Sequence, residues 1–432
     1  MRTMKDSGIE WIGQIPQEWN LERLKFHADF NPATELPVLA DEEDVSFVPM
    51  DHLKSGFHIQ SMVPYSKVKK GYVCFADGDV LMAKVTPCLE NGNLAIAENL
   101  HEGVGFGSTE INVMRCKTIA NRFLFYLLQC PTYIEKAKYN MYGVAGLKRL
   151  DPEFIPNSYF PIPSEEEQIR IASYVDAKCA EIDALITAKE KTNALLKERR
   201  QSIIYEAVTK GLNPDAPMKD SGIEWIGQIP GNWTTWRMKH LASEPLQYGA
   251  NATGVEFRED IPRYVRITDI TADRKLSNDG KQSLETDIAQ DYMLEDGDIL
   301  FARSGATSGK SFYYEDKYGP CCFAGYLINL RTDNRKALSK FLYYYTLTQA
   351  YENWTQQIFI QATIQNISAD KYNNLWFAIP GSLEEQADIV AYLDQRCSEM
   401  DELISANEAT IQKLKEYRQS IIYEAVTGKI EV

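Results

Sequence analysis

Three stretches of this sequence carry residues at spacings that enzymes use. Residues 304–311, SGATSGKS, end like a phosphate-cradling loop, in which backbone N–H groups and a Lys hold nucleotide phosphates. The first glycine of that pattern is Ser304 here, and residues 311–314 look like a strand where the pattern needs a helix N-terminus. Nucleotide hydrolysis is therefore not expected; a glycine-rich, Lys-tipped loop could still approach a phosphate or a base edge. Asn31-Pro32-Ala33-Thr34 begins like the Asn-Pro-Pro-aromatic loop that grips a flipped base but lacks the second Pro and the stacking ring, so a turn is expected. Asp77-Gly78-Asp79 and Asp296-Gly297-Asp298 each set two carboxylates before a strand. Recurring around a glycine, they point to turn chemistry over metal or acid–base work. His52 and His58 have no Cys or second His pair to complete a zinc site, so no metal is expected. No nucleophile has a base partner, and catalysis by this chain alone is not expected.

Polar and basic residues recur in loops where a reader of DNA would need them. Arg and Lys suit guanine O6 and N7, while Asn and Gln suit adenine N6 and N7. In the first half the candidates are Lys84, Asn91, Asn93, Asn140, Tyr142, Lys148 and Arg149. In the second they are Arg266, Arg303, Thr307, Lys310, Gln361, Thr363 and Gln365.

The formal charge of −15 argues against phosphate contacts at first sight. Its distribution softens that objection. Residues 382–432 hold 5 basic and 11 acidic side chains, so this segment supplies −6 and a face elsewhere can be locally basic. At 432 residues and 44% hydrophobic, the chain can bury two or three cores. It opens without a charged-then-apolar leader and contains no run of the roughly 18 to 20 apolar residues that a membrane-spanning helix needs, so a soluble, cytoplasmic protein is expected. The eight cysteines show no C-x-x-C spacing and are expected to be reduced, buried and inert.

What must position the candidate readers is a repeat. Residues 4–16, MKDSGIEWIGQIP, recur unchanged at 218–230. SEEEQIRIASYVDAKCAEIDALI from Ser164 aligns with SLEEQADIVAYLDQRCSEMDELI from Ser382, and RQSIIYEAVT closes both modules at 200–209 and 418–427. Between these shared ends, residues 17–163 and 231–381 resemble each other in plan but little in identity.

Each shared C-terminal part predicts a helix of about 45 residues. Ser164 with Glu167 forms a capping-box pattern, and neither Gly nor Pro intervenes before Gly211. A four-three stripe runs through Val175, Cys179, Ile182, Ile186, Lys189, Asn193, Leu196, Arg200, Ile203 and Ala207. The second copy repeats it at Leu393, Cys397, Met400, Ile404, Asn407, Ile411, Leu414, Arg418, Ile421 and Ala425. Such a seam wants a partner helix and predicts a coiled-coil pair, with its polar members fixing register. Each variable part reads as mixed α/β. Strands are expected near 46–50, 80–85, 111–115, 263–270, 299–303 and 326–331. One amphipathic helix follows over 121–139 and 336–354, then a loop over 143–151 and 361–370, then a last strand. The predicted organisation is thus α+β, with domains at 1–163 and 217–381 and helical segments at 164–216 and 382–432.

The repeated openings SGIEWIGQIPQEW and SGIEWIGQIPGNW, the strand-turns DGDVLMAK and DGDILFARSG, the exits SYFPIPSEEEQ and LWFAIPGSLEEQ, and the helix endings RQSIIYEAVT together resemble the specificity subunit of Type I restriction-modification systems. The resemblance covers the whole chain. It implies two target-recognition domains, each reading one half of a split, asymmetric site in double-stranded DNA, held apart by two antiparallel spacer helices with a pseudo-twofold relation. It also implies two methyltransferase subunits docked on the helices and two motor-nuclease restriction subunits. S-adenosylmethionine, ATP and magnesium would then belong to those partners, and this chain would hold no cofactor. The specificity subunit of a methylation-only or related Type II system shares these features; co-purification with a motor nuclease separates the two. A coiled-coil scaffold that never touches DNA is a third reading, excluded by salt-dependent, sequence-selective duplex binding.

Overall fold

The computed structural model of the chain describes residues 2–144, 146–305, 307–360 and 366–432. The architecture is mixed α+β, with the long helix Glu165–Lys210 between two sheet-rich regions and a second long helix at Leu383–Val426. The chain divides into two compact units, residues 1–189 with 408–432, and residues 190–407. Each unit contains one globular region and a part of each long helix.

In the first unit, Val80–Ala83 is buried on both faces, as its unbroken apolar run requires. It lies between Ile111–Cys116 and Leu94–Ile96, with Ala28–Phe30 completing an antiparallel sheet. A second four-stranded sheet sets Asp44–Val48 parallel to Val104–Gly107, with Ser61–Pro64 and Val73–Ala76 outside them.

The second unit repeats the order of the first of these sheets with other letters. Ile299–Ala302, also fully buried, lies between Leu327–Leu330 and Ser311–Tyr313, with Gln247–Tyr248 at the edge. Its other sheet again contains one parallel pair, Arg263–Val265 with Cys321–Phe323.

The structure departs from the expected elements at several places. The helix predicted over 121–139 is two, Asn121–Gln129 and Pro131–Tyr139, because Pro131 lacks the N–H that would continue the ladder and instead starts a new helix. The one predicted over 336–354 is also two, Ser339–Tyr345 and Gln349–Ile360. Between them the Thr346 and Thr348 hydroxyls donate to Tyr343 O and Tyr345 O at 2.6 and 2.7 Å, a local competition with helical bonding. The strand expected to reach residue 270 stops at Val265 and gives way to a single 3-10 turn, Ile267–Asp269. The loop expected over 143–151 is largely the second arm of a hairpin, Met141–Val144 paired with Leu147–Leu150.

Both long helices enter their units through the same four contacts. Ser164 and Ser382 accept the Glu167 and Glu385 N–H groups at 3.4 and 3.2 Å. The carboxylates of those glutamates do not turn back to the cap, as a full capping box would; they accept the indole N–H of buried Trp19 at 3.0 Å and Trp233 at 2.8 Å. The side chains of Gln168 and Gln386, both almost fully buried, accept the Ala120 and Leu338 N–H groups at 2.7 and 2.8 Å. Asp176 accepts the Tyr126 hydroxyl, and Asp394 accepts that of Tyr344 at 2.6 Å.

The predicted stripe lies inward. Ile182, Ile186, Asn193, Ile203, Met400, Ile404, Ile411 and Ile421 are buried, and Lys189, Leu196, Asn407 and Leu414 are half-buried. In the first unit Ile182, Ile186, Ile411 and Ile421 pack into one cluster with Leu414 beside it, and Arg418 Nε lies 3.2 Å from Asp183. In the second, Asn407 donates to Asn193 at 2.8 Å and Arg200 Nε lies 3.4 Å from Asp401. Those pairs run in opposite sequence directions, so the helices are antiparallel there. The Arg–Asp pair is the same in both units with the helices exchanging roles.

Candidate nucleic-acid interface

The frame of each site is its Asp-Gly-Asp turn. Gly78 and Gly297 stand at φ +89° and +90°, where a side chain would be strained. Asp79, 2% exposed, accepts the Ala76 N–H at 2.8 Å and Arg115 Nε and Nη2 at 2.8 and 2.6 Å. Asp298 does the same with the Glu295 N–H at 2.9 Å and Arg331 at 3.1 and 2.9 Å, and takes Asn329 Nδ2 at 3.0 Å. Asp77 and Asp296 accept the Leu100 and Asp316 N–H groups at 3.1 and 3.0 Å. These four carboxylates are occupied in turns and forked ion pairs, which is structural work. The frames anchor the two buried strands, and the residues that leave them are Lys84 and Arg303.

In the first unit the chain brings Lys84, Tyr142, Lys148 and Arg149 together. A bridge pairs Val85 with Arg149, the Lys84 carbonyl accepts the Leu150 N–H at 2.8 Å, and Tyr142 pairs with Arg149 in the hairpin. Thr86 donates to Gly146 O at 2.8 Å and accepts the Lys148 N–H at 2.9 Å. Arg149 is clamped on Glu110, its Nε donating at 3.0 Å, so its charge is already met within the unit. Burial holds the half-buried Lys84 ammonium below the usual lysine range, Glu110 opposes that fall and Arg149 adds to it. Exposed Asn91 and half-buried Asn93 lie in the turn that follows; the Asn93 carbonyl accepts the Ala83 N–H at 3.0 Å, next to Lys84. Asn140 sits at the foot of the hairpin, where its side chain caps Lys136 O at 2.8 Å.

In the second unit Arg303, Thr307 and Lys310 share one tight turn. Gly309 and Lys310 spend their N–H groups on Ala302 O and Thr307 O at 2.8 and 2.9 Å, and Ser311 opens a strand. Those amides are not available to cradle a phosphate, which disposes of the nucleotide-loop geometry. The Arg303 guanidinium lies 4.9 Å from the Tyr248 ring centroid, and its Nη1 donates to Gly325 O at 3.5 Å. An aromatic stack that orients a guanidinium suits planar recognition of a base edge. Arg266 follows the strand Arg263–Val265 of the other sheet and is engaged, with bonds to Asp269 at 2.7 to 3.1 Å and to Gly280 O at 2.8 Å. Gln361, Thr363 and Gln365 lie outside the described residues.

Nothing in the sequence pointed to Glu110 or Tyr248, because each acts through a cross-strand or cross-loop neighbour that spacing does not encode. Asn31 is the turn residue expected: it sits at φ +46° and its side chain accepts the Val113 N–H at 3.0 Å. The cysteines are free, but Cys74, Cys88 and Cys116 are only half-buried, a correction to the expectation that all are buried. Burial pushes the Cys321 and Cys322 thiols up to about 11 and about 12, so both stay protonated near neutral pH. Among the described residues no His, Cys, Asp or Glu cluster is arranged to hold a metal, and no helix is long and apolar enough to cross a membrane.

Each unit thus sets a buried strand behind an Asp–Arg frame and ends it in a cation, Lys84 in one and Arg303 in the other. Residues 262–415 match the family model of the Type I restriction modification DNA specificity domain. The EcoEI specificity subunit of a Type I restriction enzyme from Escherichia coli is 37% identical over 163 residues, 37% of this chain and 27% of that protein. The StySPI specificity subunit from Salmonella potsdam is 25% identical over 319 residues, 73% of this chain and 66% of that protein. A chain of a solved type I R-M system shares the fold at TM-score 0.74 and 19% identity, covering 96% of this chain and 99% of its own. Residues 262–415 thus resemble a Type I restriction modification DNA specificity domain, and the chain is similar to the Type I restriction enzyme specificity subunits. The aligned stretch spans about a quarter of the length of the EcoEI subunit.

Proposed function

We propose that this chain is the non-catalytic, DNA-reading subunit of a Type I restriction-modification complex, each globular unit reading one half of a split, asymmetric site. One observation carries the proposal: two identical Asp–Arg frames end in different cations, Lys84 beside a hairpin and Arg303 stacked on Tyr248. A shared frame with unlike tips suits two readers of unlike sequence. The repeated helical parts are the natural platform for two methyltransferase subunits, since a duplicated surface in one chain can hold two copies of one partner. S-adenosylmethionine chemistry, and ATP with magnesium in two restriction subunits, would lie with those partners in the cytoplasm. The test is co-expression with the methyltransferase subunit and single-molecule sequencing of methylated adenines. A bipartite motif with unlike halves is expected; methylation without a motif, or at one contiguous site, overturns the reading.

A further inference from the structure

The hairpin Met141–Val144 and Leu147–Leu150 is a two-stranded sheet of its own, an element that is marginal in water unless it is anchored. It is anchored tightly. Leu150 is buried, Thr86 bonds both Gly146 and Lys148, and Glu110 clamps Arg149. Strand alternation puts Leu150 on the inward face and Leu147 with Arg149 on the opposite one, where Tyr142 faces Arg149 across the register. On that face Leu147 is 76% exposed and Tyr142 56%, and Tyr139 at the foot is 90% exposed.

Apolar side chains on a pinned arm contribute little to the fold, so their use lies outside it. The surroundings say against what. Residues 134–150 carry Lys136, Lys138, Lys148 and Arg149 against Glu135, a net of +3, or +2 when Glu110 is counted, in a chain of net −15. An apolar tip on a basic arm is complementary to a polyanion with an apolar, stacked interior.

We propose that Leu147 is a wedge that enters the base stack of duplex DNA beside the half-site read by the first unit, with Tyr142 on the same face covering the unstacked base. The proposal rests on the DNA-reading function above. Apolar wedges of this kind partly unstack one base step and kink the duplex, in exchange for a larger contact.

The experiment uses the chain assembled with its methyltransferase partners and duplexes of its methylated motif bearing 2-aminopurine at successive positions. Wild type should show one position of enhanced fluorescence outside the methylated adenines. Leu147→Ala should lose it and weaken specific binding roughly tenfold or more, the equivalent of one buried Leu side chain, with the methylated motif unchanged. Leu147→Phe should keep it. Since Leu147 is exposed, the alanine variant should fold as wild type. Equal fluorescence and affinity in Leu147→Ala would overturn the wedge while leaving the DNA-reading function intact. Weakened assembly with the methyltransferase in the absence of DNA would make the hairpin a protein contact and likewise overturn it. If wild type binds no duplex selectively, both readings fall.

Discussion

Arg331 grips Asp298 with two parallel hydrogen bonds, from Nε at 3.1 Å and Nη2 at 2.9 Å, at a carboxylate that is 1% exposed. Arg115 grips Asp79 in the same manner. Removing one partner of a buried pair leaves the other uncompensated, typically a loss of about 3 to 5 kcal/mol. Arg331 keeps Glu244 and Glu295 within 3.3 and 2.9 Å, so Asp298→Ala should fall near the lower end, about 3 kcal/mol. Urea unfolding of the chain reads this; a loss under about 1 kcal/mol would show that the pair does not hold the strand.

The cations at the strand ends should each govern one half-site. Arg303→Ala is expected to relax the bases of one half of the methylated motif, and Lys84→Ala those of the other. Losing a good base contact costs about 1 to 3 kcal/mol of discrimination. Methylated-adenine sequencing of cells carrying each variant checks this. Relaxation of both halves by either substitution would contradict independent readers.

Lys84 gives that recognition a pH dependence. Burial holds its ammonium below the usual lysine range. Only the protonated form attracts DNA, so affinity should decline as pH rises towards the ordinary lysine value of about 10.4, earlier than exposed lysines allow. Stability moves the other way. The fold disfavours the charged form, so over the window from the lowered folded value up to the unfolded one the unfolded chain binds more protons and stability rises with pH. Loss of binding without loss of fold therefore identifies Lys84. Anisotropy titration of Lys84→Arg should be flat over this range; an unchanged decline would assign the effect elsewhere.

Helix length should set the spacing of the two half-sites. Removing one heptad from both long helices keeps the four-three stripe in phase and is expected to change the number of bases between the halves of the methylated motif. An unchanged spacer in the methylome would refute a ruler role for the helices.

The repeat, the long helices and the seam were legible in the sequence because they rest on local rules. A cap, a 3.5-residue period and freedom from Gly and Pro act over neighbouring residues, and the structure buries Ile182, Ile186, Ile411 and Ile421 accordingly. The Asp-Gly-Asp turns were legible for the same reason, since a left-handed glycine and its flanking carboxylates form a local unit. The destinations of side chains were not legible. Glu167 reads as half of a capping box yet serves the indole of Trp19, 148 positions away, and Arg149 reads as a free reader yet is held by Glu110. Which cation stays available is decided by cross-strand register and by which carboxylate or ring the fold brings beside it. Residue order along a chain does not carry that information, so the tertiary structure alone separates Arg303, stacked on Tyr248 with no carboxylate bonded to it among the described residues, from Arg266, whose donors Asp269 and Gly280 consume.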